Sequence, residues 1–198
     1  MATCDLLEPQ PVYLVCLCIQ LAGGGGGGGR IAIWISNSTN DFRGAFNTYG
    51  GKGFSESGGS GTVYVKALNS TGSMESTLII DNDNAVPDNI YIADKLKDSC
   101  RTYILTEQGN TAKDLTFDHV YINGDGHLAF RKTSSASVDV TINNLHGDLS
   151  GMVHSSVDQK VQIVDSDSPI PASFRVYDKA TVQLPAGGEI SILLIDTH

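Results

Sequence analysis

Alternating hydrophobic and polar residues predict short β-strands along most of the chain. Ile31, Ile33 and Ile35 alternate with other residues, and this two-residue period is typical of a strand with one buried face. Similar runs recur at 62–66, 78–80, 90–92, 103–105, 115–117, 120–122, 128–130, 138–142, 161–163, 174–176, 182–184 and 190–194. The best helical interval, Asp94 to Arg101, has room for about two turns, so the pattern predicts an all-β fold.

A change of phase in this pattern bears on how the strands are arranged. Leu115 and Phe117 occupy odd-numbered positions, whereas Val120 and Ile122 occupy even-numbered ones, so the two hydrophobic pairs are out of phase. Such a shift reverses the buried face unless the chain turns a corner, and corners between short strands are typical of a solenoid. Asn123 and Gly124 instead offer the hairpin turn of a β-sandwich. We favour the solenoid.

A weak internal repeat also favours a solenoid. Residues 118–130 align without gaps on residues 145–157. In this alignment His119 matches His146 and His127 matches His154, each 27 positions apart. A period of this length suits one coil of a solenoid, and equivalent residues then stack at about 4.8 Å. If the repeat is not accidental, two histidine pairs form that would bind a metal or respond to pH: His119 with His146, and His127 with His154.

The N-terminal part divides at a run of seven glycines, Gly23 to Gly29. This run is either a flexible linker or a loop packed against other backbone. Before it lies the apolar stretch Val12 to Ala22, which is interpreted first as a strand and second as a degenerate signal peptide, because its flank is acidic. We therefore separate an uncertain segment, 1–22, from a single domain, 23–198.

Composition and charge narrow the class of partner. The formal charge of −9 argues against binding of nucleic acid, which requires clustered Lys and Arg. No apolar stretch is long enough to span a membrane. The four cysteines form no CxxC motif, so a zinc site is not indicated, and a disulfide from Cys100 to Cys4, Cys16 or Cys18 requires an oxidising compartment.

Several phrases in the first half of the domain resemble a known group of proteins. They are GGRIAI at 28–33, DFRG at 41–44, YGG at 49–51, GSGTVY at 59–64 and LIIDN at 78–82. Their order resembles the glycine-rich β-helix segments of large extracellular proteins in the pectin-lyase-like superfamily. The resemblance implies right-handed coiling, a secreted or cell-surface setting, and a packed rather than flexible glycine loop.

We therefore expect a right-handed parallel β-helix that is part of a longer chain, because neither end has an obvious polar cap. The expected function is a non-catalytic structural or adhesive module, with surface proteins or extracellular glycans as partners. A carbohydrate-binding module is the first alternative, since exposed aromatic rings stack on sugars. Its candidate residues are Trp34, Tyr49, Tyr64 and Tyr91.

Two further kinds of site are indicated by short motifs. Asn37 and Asn69 begin glycosylation sequons in polar turns. Asp81, Asp83 and Asp88 supply oxygen ligands of the type that calcium prefers, although a solvated acidic turn is the favoured interpretation. Calcium is the one cofactor considered.

A polysaccharide lyase or glycoside hydrolase is the remaining alternative. The bases available to a lyase are Arg131, Lys132 and Arg175, and the carboxylates available to a hydrolase are Asp139, Asp148 and Asp165. No catalytic motif distinguishes these residues from surface charges, so we assign no catalytic residue and do not favour enzymatic activity.

Overall fold

The structure is a computed structural model, and it describes residues 24–36, 44–53, 56–85, 100–108, 111–112, 114–131, 137–155, 159–176, 180–185 and 192–194. Within these ranges all regular elements are strands, as the alternating pattern predicts. They are β1 Arg30–Trp34, β2 Thr62–Leu68, β3 Met74–Asp81, β4 Arg101–Leu105, β5 Glu107–Gln108, β6 Thr111–Ala112, β7 Leu115–Asn123, β8 His127–Arg131, β9 Val138–Gly147, β10 Gly151–Ser155, β11 Gln159–Ser166, β12 Ala172–Val176, β13 Thr181–Gln183 and β14 Ile192–Leu194.

Twelve of these strands form two sheets, and β5 and β6 pair separately. The large sheet has seven strands in the order β1-β2-β3-β7-β9-β11-β13, and the small sheet has five in the order β14-β12-β10-β8-β4. From β7 onward, successive strands alternate between the two sheets, so neighbours within a sheet run parallel. Gly124 therefore lies in a turn that leads from one sheet to the other, and the hairpin suggested there does not form.

The prediction of a right-handed parallel β-helix is wrong for the part of the chain that the structure describes. The strands form two separate sheets without closing into a solenoid, and β2 pairs with β3 in the antiparallel direction. The chain reverses between these two strands because Asn69 accepts hydrogen bonds across the turn and Gly72 adopts a φ of 83°. Hydrophobic and polar residues alternate in the same way in antiparallel strands and in solenoid strands, so the sequence pattern did not distinguish the two.

The change of phase between Phe117 and Val120 occurs inside one strand rather than between two. Both side chains are buried, and the pairing of β7 with β9 skips Asp118 and Asn143 between them. β7 therefore bends at Asp118, and β9 bends beside it. This bend takes the place of the corner that the sequence pattern suggested.

The main core lies between the two sheets. The large sheet contributes side chains such as Ile80, Ile122 and Ile142, and the small sheet contributes Phe130 and Phe174, all at most 1% exposed. A smaller cluster packs on the opposite face of the large sheet, around Val63 and Val65 with two isoleucines of β1 and Ile35, which follows it. β2 thus contributes to both clusters, because Val63 and Val65 lie in the smaller one and Tyr64 packs against the main core.

The glycine run is packed against other backbone within the described residues. A Cβ atom on Gly28 would lie 1.8 Å from the carbonyl oxygen of Thr48, and one on Gly25 equally close to that of Gly51. The Gly28 N–H donates to the Gly59 carbonyl at 2.9 Å. Contacts at every third residue are typical of extended glycine segments with three residues per turn. The packed-loop interpretation therefore holds over 24–29.

Several sequence expectations fall outside the described residues. These include the segment 1–22 with its three cysteines, the interval 90–92 and residues 94–99 of the helical candidate. The division into 1–22 and 23–198 thus stays a prediction. Arg101, the last residue of that candidate, begins β4 instead. Among the residues that are described, no helix is long and apolar enough to cross a membrane.

Candidate functional site

The outer face of the large sheet carries a line of ionisable side chains. His119 on β7 and His146 on β9 are 27 positions apart, but the register of these strands pairs His146 with Tyr121, an offset of 25. The two histidines therefore meet on a diagonal, one side-chain step from direct opposition. The predicted histidine pair forms, although the structural repeat is two residues shorter than the aligned one.

The line consists of four side chains, which we call the histidine array: Glu75, His119, His146 and Asp167. His119 Nε2 lies 2.9 Å from Glu75 Oε1, and His146 Nδ1 lies 3.0 Å from Asp167 Oδ1. Between them, His119 Nδ1 is 3.1 Å from His146 Nε2. The side chains of His119 and His146 are 28% and 24% exposed, so solvent reaches both.

Stacking on Tyr121 orients the His146 ring. The Tyr121 ring lies nearly parallel to the His146 ring with 4.5 Å between centroids, whereas the two histidine rings meet edge to edge, with 5.4 Å between centroids. Because Tyr121 and His146 are register partners on neighbouring strands, the sheet itself supports this contact. Three residues of the array therefore lie on strands of the sheet, and Asp167 directly follows β11.

Asp118 secures the bend beside the array. Its carboxylate accepts hydrogen bonds from the backbone N–H and the hydroxyl of Ser76, each at 2.8 Å, and from the Asn143 amide at 3.1 Å. Burial by itself would raise the pKa of the Asp118 carboxyl, but these hydrogen bonds and the neighbouring His119 lower it. The negative charge of Asp118 thus lies next to the array.

The second predicted pair, His127 and His154, is buried in the small sheet. The two side chains are 5% and 1% exposed, their ring centroids are 5.2 Å apart, and His154 Nε2 lies 3.3 Å from His127 Nδ1. Burial, the positive charge of Arg101 and the neighbouring His127 lower the pKa of His154 to about 3. His154 is therefore neutral at physiological pH.

The aromatic residues proposed to bind sugars do not all come together. The Trp34 side chain is 66% exposed and its ring lies 5.8 Å from that of Tyr64, which in turn packs edge-on against Phe117. Tyr49 is exposed, at 47%, and has no ring contact with the other described aromatics. Tyr91 lies outside the described residues. The structure thus brings together one pair of these four candidates.

The acidic turn proposed for calcium has a structural use. Asp81 accepts a hydrogen bond from the Asp83 N–H at 2.9 Å. Asn82, only 2% exposed, accepts from the Gly50 N–H at 2.9 Å and donates to the Gly58 carbonyl at 3.3 Å. Asp88 lies outside the described residues, within which no three His, Cys, Asp or Glu side chains converge as metal ligands.

The described residues among those considered for catalysis lie on different strands and turns. Asp148 accepts hydrogen bonds from the Gly124 N–H at 2.9 Å and the Ser150 N–H at 3.0 Å. Burial by itself would raise the pKa of Asp148, but a hydrogen bond from the Ser150 hydroxyl, together with these two, lowers it. Asp139 and Asp165 are exposed on the large sheet. Of the basic residues, Arg131 is exposed at the end of β8 and Arg175 lies on β12. Lys132 falls outside the described residues.

Only one of the two sequons begins within the described residues. Asn37 lies outside the described residues. Asn69 lies at the turn between β2 and β3, where its Oδ1 accepts from the Thr71 N–H at 3.0 Å, the Thr71 hydroxyl at 2.7 Å and the Ser73 N–H at 2.9 Å. These bonds involve only Oδ1, so Nδ2, the atom to which a glycan would be attached, takes no part in them at this exposed turn.

One cleft was not predicted from the sequence. It has a volume of about 220 Å³ and lies between the glycine segments and β4, lined by Arg30, Arg101 and Tyr103 together with glycine backbone. One guanidinium nitrogen of Arg30 donates to the Tyr103 carbonyl at 3.3 Å across it. The two arginines are 71 positions apart, so no local pattern could have predicted their approach.

The array was foreseen only in part. The histidine spacing indicated His119 and His146, but nothing in the sequence pointed to Glu75 or Asp167 as their partners, because these acids come from β3 and from the residue after β11. Comparison with known proteins adds no identity: no family model, no curated protein and no solved structure matches this chain. The resemblance to glycine-rich extracellular proteins therefore stays a prediction.

Proposed function

We propose that this chain is a non-catalytic structural or adhesive module of a secreted or cell-surface protein. The observation that carries the proposal is the outer face of the large sheet, where paired strands hold side chains in rows. One row aligns Ile79, Tyr121 and His146, and the next aligns Thr77, His119 and Asn144. Such a face offers a partner a preformed pattern, so that little conformational entropy is lost on binding.

The extracellular setting rests on separate observations. The glycine-rich phrases resemble those of extracellular proteins, and the Asn69 sequon lies at an exposed turn. The acidic composition, with a formal charge of −9, is compatible with a soluble surface module.

An adhesion assay tests the proposal. Beads coated with the full chain are allowed to settle on cultured animal cells, and the retained fraction is measured under flow before and after protease treatment of the cells. We expect retention that falls severalfold for Tyr121→Ala and remains for Gly29→Ala, whose position is open. Retention no greater than that of albumin-coated beads would overturn the adhesive function. Release of unsaturated or reducing sugars from acidic polysaccharides would overturn the proposal that the module is non-catalytic.

A carbohydrate-binding module is the second candidate, and the exposed Trp34 ring beside Tyr64 favours it. Aromatic faces bind sugars through their apolar side. On an array of extracellular glycans, we expect Trp34→Ala to weaken binding about tenfold, which corresponds to about 1.4 kcal/mol. Tyr49→Ala is the matched control, since Tyr49 is exposed but has no ring contact with the described aromatics. Equal losses in both variants would argue against this alternative.

A further inference from the structure

The hydrogen bonds of the histidine array leave two lone pairs facing each other. An ionised carboxylate can only accept a hydrogen bond, so His119 Nε2 donates to Glu75 and His146 Nδ1 donates to Asp167. In neutral imidazoles the other nitrogens, His119 Nδ1 and His146 Nε2, are then both acceptors, 3.1 Å apart. Two acceptors at this distance repel each other unless a proton or a metal cation lies between them.

We propose that this cation is a divalent transition-metal ion, bound by His119 Nδ1 and His146 Nε2. Nitrogens 3.1 Å apart reach one ion at a metal–nitrogen distance of about 2.05 Å when the angle at the metal is about 100°. This angle lies between the octahedral and the tetrahedral values. Each imidazole must turn by about 40° for its lone pair to point at the ion and not at the other ring nitrogen.

The surroundings of the two histidines match those of metal ligands in proteins. A histidine that binds a metal usually donates its second ring N–H to a carboxylate, which fixes the tautomer and strengthens the ligand. Glu75 and Asp167 do this for both rings. Two further carboxylates lie on the same sheet, that of Asp118 on β7 and that of Asp165 on β11. Their negative charge attracts a cation.

The ligand chemistry selects the class of metal. Imidazole nitrogen suits Zn²⁺, Ni²⁺ and Cu²⁺, whereas Ca²⁺ and Mg²⁺ prefer oxygen. Because the described residues contain no group of three or more His, Cys, Asp and Glu ligands, this part of the chain supplies two ligands, and water or another molecule can supply the rest. The site is therefore open on its solvent side.

The buried pair shows why the same spacing does not make two such sites. His127 and His154 have a similar nitrogen separation of 3.3 Å, but both are almost fully buried and the charge of Arg101 acts on His154. A positive neighbour and the absence of solvent oppose entry of a second cation. The proposed site is thus confined to the outer face.

Titration of the full, untagged chain with Ni²⁺ and Zn²⁺ tests this proposal, with its thiols alkylated so that the cysteines do not compete. Calorimetry should give one site, and Cu²⁺ in its place should give an electron paramagnetic resonance spectrum split by two nitrogens. We expect His119→Ala or His146→Ala to weaken binding at least tenfold, and Glu75→Gln or Asp167→Asn to weaken it about 10-fold while leaving the two-nitrogen spectrum intact.

His198→Ala is the matched control, because it removes the one histidine that belongs to neither pair. Far-UV circular dichroism confirms that each variant is folded. Absence of a stoichiometric site, or binding that is unchanged in both His119→Ala and His146→Ala, would overturn the proposal. So would ¹⁵N spectra in which a proton bridges the inner nitrogens and is not displaced by any of the three metals. The outcome is independent of the adhesion assay, since metal binding is measured without a partner.

Discussion

Gly28 and Gly29 are adjacent in the chain but have opposite surroundings. A Cβ atom on Gly28 would lie 1.8 Å from the Thr48 carbonyl oxygen and 2.4 Å from the Gly61 nitrogen, both backbone atoms that cannot swing aside. A Cβ atom on Gly29 would meet nothing within 4 Å. The run of glycines is therefore required at some positions and merely tolerated at others.

This difference predicts that Gly28→Ala destabilises the fold and Gly29→Ala does not. The first substitution forces two backbone segments apart, which costs about 1–3 kcal/mol or more. The second changes the free energy of unfolding by less than about 1 kcal/mol. Urea denaturation of both variants measures the effect. Equal stability of the two would contradict the close packing of 24–29 against 48–61.

The buried His154 predicts a pH dependence of stability. Its pKa is lowered to about 3, mainly by burial and then by the charge of Arg101. Between pH 6.5 and 3, His154 is therefore protonated in the unfolded chain but not in the folded one. The stabilisation is complete above about pH 6.5, the ordinary histidine pKa, and declines as the pH falls toward 3. The slope is up to about 1.4 kcal/mol per pH unit.

Unfolding free energies measured between about pH 6.5 and 4.5 check this, because most carboxylates stay ionised in that window. We expect His154→Gln to lose most of the slope, and His198→Gln to keep it. If the wild-type protein and His154→Gln have parallel curves, His154 is protonated in the folded state and the predicted burial of a neutral imidazole is wrong.

At the scale of elements, the bend in β7 depends on Asp118. The strand changes its buried parity between Phe117 and Val120, so the ladder of backbone hydrogen bonds is interrupted there. The Asp118 carboxylate accepts the Ser76 N–H instead, and the Asn144 amide donates to the Asp118 carbonyl at 2.9 Å. Side chains thus replace the backbone pairing that the bend removes.

Asp118→Ala is therefore expected to lower the free energy of unfolding by about 1–3 kcal/mol, because it leaves the buried N–H and hydroxyl of Ser76 without their acceptor. Asp114→Ala is the control: Asp114 accepts a backbone N–H, from Asp139, at an exposed position. We expect that variant to change stability by less than about 0.5 kcal/mol. A larger effect at Asp114 than at Asp118 would show that the bend is held by other contacts.

At the scale of the whole molecule, the proposed extracellular setting predicts a glycan at Asn69. The Oδ1 atom of this residue holds the β2–β3 turn, so attachment at Nδ2 leaves the turn intact. Expression with an added signal peptide in a glycosylating host should give a product that shifts on endoglycosidase treatment. Asn69→Gln should reduce its mass by one glycan. Secretion of a product that carries no sugar at this position would contradict the prediction.

The alternating pattern was sufficient to predict most strands, since side chains of a strand point to opposite faces whatever the strand pairs with. It predicted β1, β8 and β9, but not β10, in which Val153, His154 and Ser155 are all buried and no alternation is visible. It also divided β7 at the bend, because a change of parity looks the same whether the chain bends or begins a new strand.

The sequence by itself determined the all-β class, the inward and outward faces of most strands, and the spacing that joins His119 with His146. The tertiary structure alone decided the division into two sheets, the antiparallel pairing of β2 with β3, and the offset of 25 that sets the histidines on a diagonal. It also brought Glu75 and Asp167 to the ends of the array. The physical reason is that side-chain polarity is a local property, whereas strand order and register depend on hydrogen bonds between residues that are distant in the chain.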